Sequence, residues 1–217
     1  MAIDVKICGI TTPEMAEVAA ASGASHIGFM FFPRSPRNLP LADAAVLSPT
    51  IPESLIRVGV FVNPDDALLE TAIEAMYLDV VQLHGTETVA RVDAVKEKFG
   101  LQVIKAIPVA TRGDVEASFV YIGHSDCVLF DAKPPKDQVD ALPGGTGLSF
   151  DWTLLSGLPP EMTWALSGGL SPDNVAEAIQ RTQCQFVDVS SGVETQPGVK
   201  NATKIKAFMA AIKEASE

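Results

Sequence analysis

Short apolar runs recur along the whole chain and alternate with longer stretches that mix apolar and polar residues. Eight of the runs are rich in β-branched or aromatic residues, as strands are. Most are continuous rather than alternating, so they predict a parallel sheet that is covered on both faces. The eight predicted strands are residues 5–8, 26–31, 58–62, 80–84, 103–107, 128–131, 164–167 and 186–190.

The stretches between these runs have helical composition. Five are clear (13–22, 65–76, 87–99, 172–181 and 202–215) and three are weaker (41–47, 112–122 and 150–155). Strands that alternate with helices indicate parallel βαβ units, and 217 residues allow about 27 residues for each of eight units. We therefore predict a single (β/α)8 TIM barrel that spans residues 1–217 as one domain. The alternative is an open doubly wound sheet, which usually has a glycine-rich turn after its first strand, whereas here such turns come late.

Composition narrows the class of protein. Hydrophobic residues make up 47% of the chain and charged residues 20%, which excludes general disorder. The net charge of −11 argues against a nucleic-acid or membrane partner, and no apolar run is long enough to span a bilayer. The beginning of the chain shows no export signal, and three widely spaced cysteines favour neither a disulfide framework nor a zinc site. We expect a cytoplasmic protein that folds without disulfides or a structural metal.

Two reactive side chains end predicted strands, where the active sites of barrels lie. Strand alternation points Lys6 and Cys8 into the barrel, with Cys8 at the mouth as a candidate general base that could equally be a small buried apolar residue. Asp131 closes the sixth strand, where a protonated carboxyl could act as a general acid or the side chain could simply cap a turn. Together they could move protons at two different atoms of one ligand.

Three glycine-bearing segments follow the sixth, seventh and eighth strands. Loops at these positions commonly bind phosphate, because glycine lets backbone N–H groups approach the anion closely. Any one of them could be an ordinary turn, but together they predict a phosphate site inside an acidic protein. The predicted phosphate-binding residues are Gly145, Thr146, Gly147, Ser167, Gly168, Gly169, Ser190, Ser191 and Gly192.

Further polar residues are placed by alternation or by loop position. Arg37, in a proline-stiffened loop, could pair with a planar carboxylate, whereas we expect Arg34 to be solvated. Gln82 and His84 share the interior face at the mouth, and we favour a hydrogen-bonding wall role for His84 over proton transfer. Because strand eight closes against strand one, we expect Lys6 to pair with Asp188 and to favour the Cys8 thiolate.

The motifs, taken in order, resemble those of the phosphoribosylanthranilate isomerase family of tryptophan biosynthesis. The matching segments span nearly the whole chain. One departure is Asn201, where the family usually has Asp. The segments are VKICGIT at 5–11, GF at 28–29, SPR at 35–37, GVFVN at 59–63, VQLHG at 81–85, LFD at 129–131, GGTG at 144–147 with FDW at 150–152, LSGGL at 166–170 and DVSSGVE at 188–194.

The resemblance implies a (β/α)8 barrel that performs an Amadori rearrangement of N-(5-phosphoribosyl)anthranilate without a cofactor. It implies that Cys8 and Asp131 are catalytic and that Arg37 binds anthranilate. The glycine segments would bind phosphate, with Gln82, His84 and Asp188 completing the substrate site. We also expect residues 132–143 to form a mobile lid, and the chain to be a monomer or a homodimer.

Three alternatives remain open. Another phosphosugar barrel, such as an epimerase-like or indole-glycerol-phosphate synthase-like enzyme, fits less well, because an epimerase would want metal ligands and the chain has only His26, His84 and His124. A non-catalytic phosphate-binding barrel would leave the acid and base candidates unexplained. A redox role for Cys8 lacks a resolving cysteine nearby.

Overall fold

Eight parallel strands close into a barrel in the computed structural model, which describes residues 3–133, 144–145 and 147–216. Each strand pairs with its sequence neighbours, and β1 closes the barrel against β8. This confirms the predicted fold class, with all eight strands found where the apolar runs indicate. The strands are β1 Asp4–Cys8, β2 His26–Phe31, β3 Ile56–Phe61, β4 Val80–Leu83, β5 Gln102–Val109, β6 Cys127–Ala132, β7 Trp164–Leu166 and β8 Phe186–Val189.

Helices fill most of the connections between the strands. Side chains of Thr12, Asp65, Thr88 and Thr111 cap four of them by accepting a hydrogen bond from a backbone N–H in the first turn, which fixes where each helix begins. The helices are α1 Pro13–Ala21, α2 Leu41–Leu47, α3 Asp66–Met76, α4 Val89–Phe99, α5 Arg112–Ala117, α6 Val175–Thr182 and α7 Ala202–Ser216.

Two of the weaker helix predictions are wrong in extent. The helix expected over 112–122 ends at Ala117 and continues as a 3₁₀ turn, and the Ser118 hydroxyl donates to the Val115 carbonyl at 2.6 Å at this junction. The helix expected over 150–155 is only a 3₁₀ turn, Trp152–Leu155. Glycine and two prolines follow that turn within five residues, so a longer helix cannot form.

The barrel interior is narrow and contains a buried ion pair. Its apolar layers are small or branched residues: Cys8, Val58, Val60, Val80, Ile104, Ala106, Cys127, Leu129 and Ala165. Lys6 on β1 stands in register with Asp188 on β8, and its Nζ lies 2.9 Å from Asp188 Oδ1. Both side chains are buried, so each charge needs the other. The predicted pairing of Lys6 with Asp188 is confirmed.

A short hairpin after β8 has no counterpart among the predicted elements. Strands β9 (Glu194–Gln196) and β10 (Val199–Lys200) pair antiparallel through a turn in which Gly198 has φ +87°. A side chain at Gly198 would collide with the carbonyl oxygen of Pro36, so the hairpin lies directly against the loop that carries Arg37. The hairpin thus brings two late residues, Glu194 and Lys200, to the first half of the barrel.

Candidate active site

A cavity opens at the carboxyl ends of the strands and contains about 680 Å³ of space, including its mouth. The loops after most of the strands contribute to its wall, as expected for a barrel enzyme. The predicted site residues that line it are Cys8, Arg37, Gln82, His84, Asp131, Gly145, Gly147, Ser167, Gly168, Gly169, Asp188, Ser190 and Ser191.

Cys8 ends β1 and is only 5% exposed. Gly28 on the neighbouring strand leaves room for the sulfur, since a Cβ added there would lie 2.8 Å from Cys8 Sγ. Burial raises the pKa of the Cys8 thiol, and the positive charges of Lys6 and Lys200 only partly oppose this effect. The expected influence of Lys6 therefore has the right sign, but desolvation outweighs it and the thiol form is favoured in the free protein.

Asp131 is the penultimate residue of β6, at the carboxyl end of the strand, and contacts two groups. Its Oδ1 accepts a hydrogen bond from the Ala132 N–H at 2.9 Å, and its Oδ2 lies 3.2 Å from Nε2 of His84. The other ring nitrogen of His84, Nδ1, lies 2.8 Å from Nε2 of Gln82. Gln82, His84 and Asp131 thus form a continuous chain of polar contacts across β4 and β6. From strand alternation we expected His84 only to form hydrogen bonds in the cavity wall. Its contact with Asp131 was not part of that prediction.

Arg37 does not present an open fork to the cavity. Its Nε and Nη2 atoms donate to the two carboxylate oxygens of Glu194 at 2.8 and 2.7 Å, and Nη2 also lies 3.3 Å from the Gly145 carbonyl oxygen. A Cβ on Gly145 would lie 2.5 Å from Nη1, so this nitrogen sits directly beneath the glycine loop. A ligand carboxylate would therefore meet Arg37 at Nη1, because a protein carboxylate already fills the other edge.

Lys200 completes a cluster of three buried charges with Arg37 and Glu194. Its Nζ contacts a Glu194 carboxylate oxygen and lies 3.1 Å from the Ser190 carbonyl oxygen. Burial would raise the pKa of Glu194, but hydrogen bonds and charge from Arg37 and Lys200 hold it below its usual value. Burial lowers the pKa of Lys200, against the attraction of Glu194. With all three ionised, the cluster has one excess positive charge behind the Ser190 loop.

Sequence reasoning missed Glu194 and Lys200 as site residues. A signal was present for Glu194, which lies in a segment used for the family resemblance, whereas Lys200 lies outside those segments, next to the departure at Asn201. Glu194 and Arg37 are 157 residues apart, a pairing that no local pattern predicts.

The predicted phosphate-binding residues divide into three groups. Seven line the cavity. Gly192 lies outside the lining, and a side chain there would collide with the carbonyl oxygen of Leu170, so its glycine serves close backbone packing. Thr146 lies outside the described residues, as do residues 134–143, which include most of the predicted lid. Arg34 is exposed, as expected.

Neither a metal centre nor a membrane helix emerges from the described ranges. Among residues 3–133, 144–145 and 147–216, no group of three or more His, Cys, Asp or Glu side chains could hold a metal ion. Within the same ranges, no helix is both long and apolar enough to cross a bilayer.

Comparisons with known proteins identify one family. Residues 5–211 match the model of the N-(5′-phosphoribosyl)anthranilate (PRA) isomerase family. A Parvibaculum lavamentivorans protein named N-(5′-phosphoribosyl)anthranilate isomerase is 48% identical over 215 residues, which cover 99% of this chain and 100% of that protein.

Solved structures agree with the sequence match. A phosphoribosyl anthranilate isomerase in complex with reduced 1-(o-carboxyphenylamino)-1-deoxyribulose 5-phosphate is 36% identical, with a TM-score of 0.85 and coverage of 98% of this chain and 99% of that one. "Mutually generated monomers" of the dimeric isomerase from Thermotoga maritima are 36% identical, with a TM-score of 0.84 and the same coverage.

Proposed function

Because the chain belongs to the N-(5′-phosphoribosyl)anthranilate isomerase family, and is an isomerase of tryptophan biosynthesis, we propose that Asp131 is its general acid and Cys8 its general base. One observation carries the assignment: the two side chains lie at the carboxyl ends of separate strands, β1 and β6, and line the same cavity. A ligand held between them meets a carboxyl on one side and a thiol on the other.

The reaction we assign is the Amadori rearrangement of N-(5-phosphoribosyl)anthranilate to 1-(2-carboxyphenylamino)-1-deoxyribulose 5-phosphate. Asp131 gives a proton to the ribose ring oxygen, the bond from that oxygen to C1 breaks, and C1 becomes doubly bonded to the anilino nitrogen as a protonated imine. Cys8 then removes the proton from C2, and the C–H electrons neutralise the imine to give an enolamine. The enolamine tautomerises to the ketone, so no redox step is needed.

The environment of Cys8 gives these two steps an order. Burial raises the pKa of its thiol, so the free protein holds little thiolate near neutral pH. The protonated imine formed by ring opening is a cation, and it arises next to the thiol. A cation at that position favours the thiolate, so we infer that proton donation by Asp131 activates Cys8 for the second step.

Substrate anions need local positive potential in a chain of net charge −11. We propose that the cavity-lining glycine and serine loops bind the phosphate through backbone N–H groups. The excess charge of the Arg37–Glu194–Lys200 cluster supports this, and Nη1 of Arg37 takes the anthranilate carboxylate. Gln82, His84 and Asp188 complete the substrate-facing wall.

The test is a fluorescence assay that follows consumption of phosphoribosylanthranilate. Each proton-transfer group contributes about 10²–10⁴-fold, so Cys8→Ala and Asp131→Asn should each lower kcat by about that factor. Arg37→Ala should mainly raise KM. Cys184→Ala is the matched control, because Cys184 is also a buried free cysteine but lies outside the cavity lining. Near-normal kcat in the Cys8 or Asp131 variant would remove the assignment.

We further propose a cytoplasmic enzyme whose partner is its phosphorylated substrate rather than nucleic acid. All three cysteines are free, as a reducing compartment requires, and the acidic charge disfavours polyanions. Whether the chain is a monomer or a homodimer stays a prediction for analytical ultracentrifugation.

A further inference from the structure

The side chain of Gln82 is buried, and only one end of its amide is satisfied. Its Nε2 lies 2.8 Å from Nδ1 of His84, whereas its Oε1 is buried without a hydrogen-bond partner in the part of the chain that the structure describes. Gln82 is fully buried and lines the cavity. An unpaired buried amide oxygen is unfavourable by about 1–3 kcal/mol, so its orientation calls for a functional reason.

The orientation of this amide determines which nitrogen of His84 holds a proton. With the amide NH₂ on Nδ1, that nitrogen must accept, and a neutral ring then has its proton on Nε2. Nε2 faces Oδ2 of Asp131 at 3.2 Å, so a neutral ring would donate its proton to that oxygen. With a carboxylate as the acceptor, the His84–Asp131 pair has no proton to give to a substrate.

A reversed amide has the opposite effect. A half-turn about the last side-chain bond exchanges Oε1 and Nε2 and leaves the rest of Gln82 in place. Nδ1 of His84 must then donate to Oε1. If the pair held no extra proton, bare Nε2 and the Asp131 carboxylate would face each other with two lone pairs. One extra proton, on Asp131 or on Nε2, removes this repulsion.

We propose that Gln82 is a positioning residue whose reversed amide keeps one extra proton on the His84–Asp131 pair. That proton is the one that Asp131 gives to the ribose ring oxygen, so the inference rests on the proposed function of Asp131. In the reversed orientation the amide NH₂ takes the place of the unpaired oxygen, in a side chain that lines the cavity. A substrate oxygen that accepts from this NH₂ would therefore favour the state in which the His84–Asp131 pair holds the extra proton. Binding of the substrate and protonation of the pair would then be coupled.

The other charges around the pair are mostly compensated. Behind β4, Nζ of Lys105 lies 2.7 Å from Oε2 of Glu87 and bonds the carbonyl oxygens on either side of His84, at Leu83 and Gly85. Among the described residues, the charged or titratable groups that line the cavity beside the pair itself are Cys8, Arg37 with its partner Glu194, and Asp188 with its partner Lys6; Lys200 lies behind the Ser190 loop. The amide is thus the neutral group in direct contact with His84 that can present either a donor or an acceptor.

The test uses two substitutions with opposite expected effects. The carboxylate introduced by Gln82→Glu can only accept a hydrogen bond from Nδ1 of His84. It should therefore keep the extra proton on the His84–Asp131 pair. Gln82→Met has similar length, cannot donate and accepts only weakly. It loses the acceptor for a charged ring, which makes a stronger hydrogen bond than the donor it also loses, so it should favour the state without the extra proton. Gln180→Glu, on the exposed side of α6, controls for the added negative charge. The primary measurement is a pH titration of ¹⁵N-histidine-labelled free protein, in which ring nitrogen shifts report the protonated nitrogens of His84.

The titration midpoint of His84 should move up in Gln82→Glu and down in Gln82→Met, each by about one pH unit, the size expected for one charge-assisted hydrogen bond. His26 and His124 serve as internal references in the same spectra. Unmoved midpoints, or midpoints that move in the same direction, would overturn the inference. Gln82→Met also keeps the test valid if the glutamate variant does not fold.

Activity separates this inference from the proposed function. If one limb of the pH profile of kcat/KM moves with the midpoints, both stand. If the midpoints move as expected and no limb follows, Gln82 controls the proton of the pair but Asp131 is not the acid of the reaction. A merely structural role would lower kcat/KM equally at every pH.

Discussion

Replacing Glu194 with Gln should destabilise the protein strongly, although the change removes only a charge. The carboxylate is 4% exposed and lies between Arg37, 4% exposed, and Lys200, 1% exposed. The substitution leaves two buried cations together and raises the excess charge of the cluster from one to two. Breaking a buried ion pair by removing one partner destabilises by about 3–5 kcal/mol.

That magnitude is a large part of the stability of an ordinary domain, about 5–15 kcal/mol. It corresponds to a Tm lower by roughly 6–20 °C for a chain of this size. The effect should depend on pH. Arg37 and Lys200 hold the pKa of Glu194 below its usual value despite burial, so its stabilising effect is fully present above about pH 4.3, the usual Glu pKa, and is lost as pH falls through the lowered pKa.

The assay is urea unfolding followed by circular dichroism at pH 7 and at pH 3–4. Glu177→Gln is the matched control, since Glu177 pairs with Arg181 at 3.2 Å on the surface of α6, where both side chains are about half exposed or more. Such a pair contributes about 0.5 kcal/mol or less. If Glu194→Gln came within about 1 kcal/mol of Glu177→Gln at pH 7, the cluster would not be the buried network described above.

Three further predictions follow from single contacts. Lys200→Met removes a positive charge that lowers the pKa of the Cys8 thiol, so alkylation of Cys8 by iodoacetamide should become slower at a given pH, as measured by mass spectrometry. Gly144→Ala places a Cβ 2.7 Å from the Asp131 carboxyl group and the His84 imidazole, so it should lower kcat/KM at least about tenfold with little change in Tm. Gly113→Ala, with no neighbour nearer than 3.7 Å, should leave the kinetics unchanged. Burial opposes ionisation of Asp114, but hydrogen bonds from Lys133, Ala110 and Thr111 lower its pKa to about 2. Asp114→Asn should therefore destabilise the protein by about 1 kcal/mol at pH 7 and by almost nothing near pH 2, as measured by urea unfolding.

The sequence predicts the barrel well because parallel strands buried on both faces are continuous apolar runs. Each of the eight runs became a strand with its bounds within two residues of the prediction. Closure of β1 against β8 then makes Lys6 and Asp188 neighbours by topology alone, and their pairing needed no further information. That residues 1–217 form one domain stays a prediction.

The hairpin of β9 and β10 was not predictable in the same way. Its strands have three and two residues, they are mostly polar, and a proline and a glycine separate them. A short polar segment has no periodicity, so its structure depends on what it packs against. The partner of Arg37 was not predictable for the same reason. An arginine in this loop indicates a carboxylate partner, but the sequence does not show that this carboxylate belongs to Glu194 of the same chain.

Alternation correctly placed Gln82 and His84 on the interior face but could not reveal their contacts. Which atoms meet depends on side-chain rotamers and on the exact offset between β4 and β6, which sequence patterns do not encode. The contact of His84 with Asp131 and the unpaired oxygen of Gln82 required coordinates.

The pairing of β1 with β8, which closes the barrel, also affects the order in which the site is assembled during folding. Lys6 and Asp188 are 182 residues apart, as are Cys8 and the Ser190 hydroxyl that bonds its carbonyl oxygen at 3.0 Å. Contacts of such separation form late, because chain entropy must be lost before they stabilise anything. Gln82, His84 and Asp131, by contrast, lie within the middle of the chain. A refolding molecule can therefore bring Gln82, His84 and Asp131 together first. The electrostatic environment of Cys8 becomes complete only when the two ends of the sheet meet.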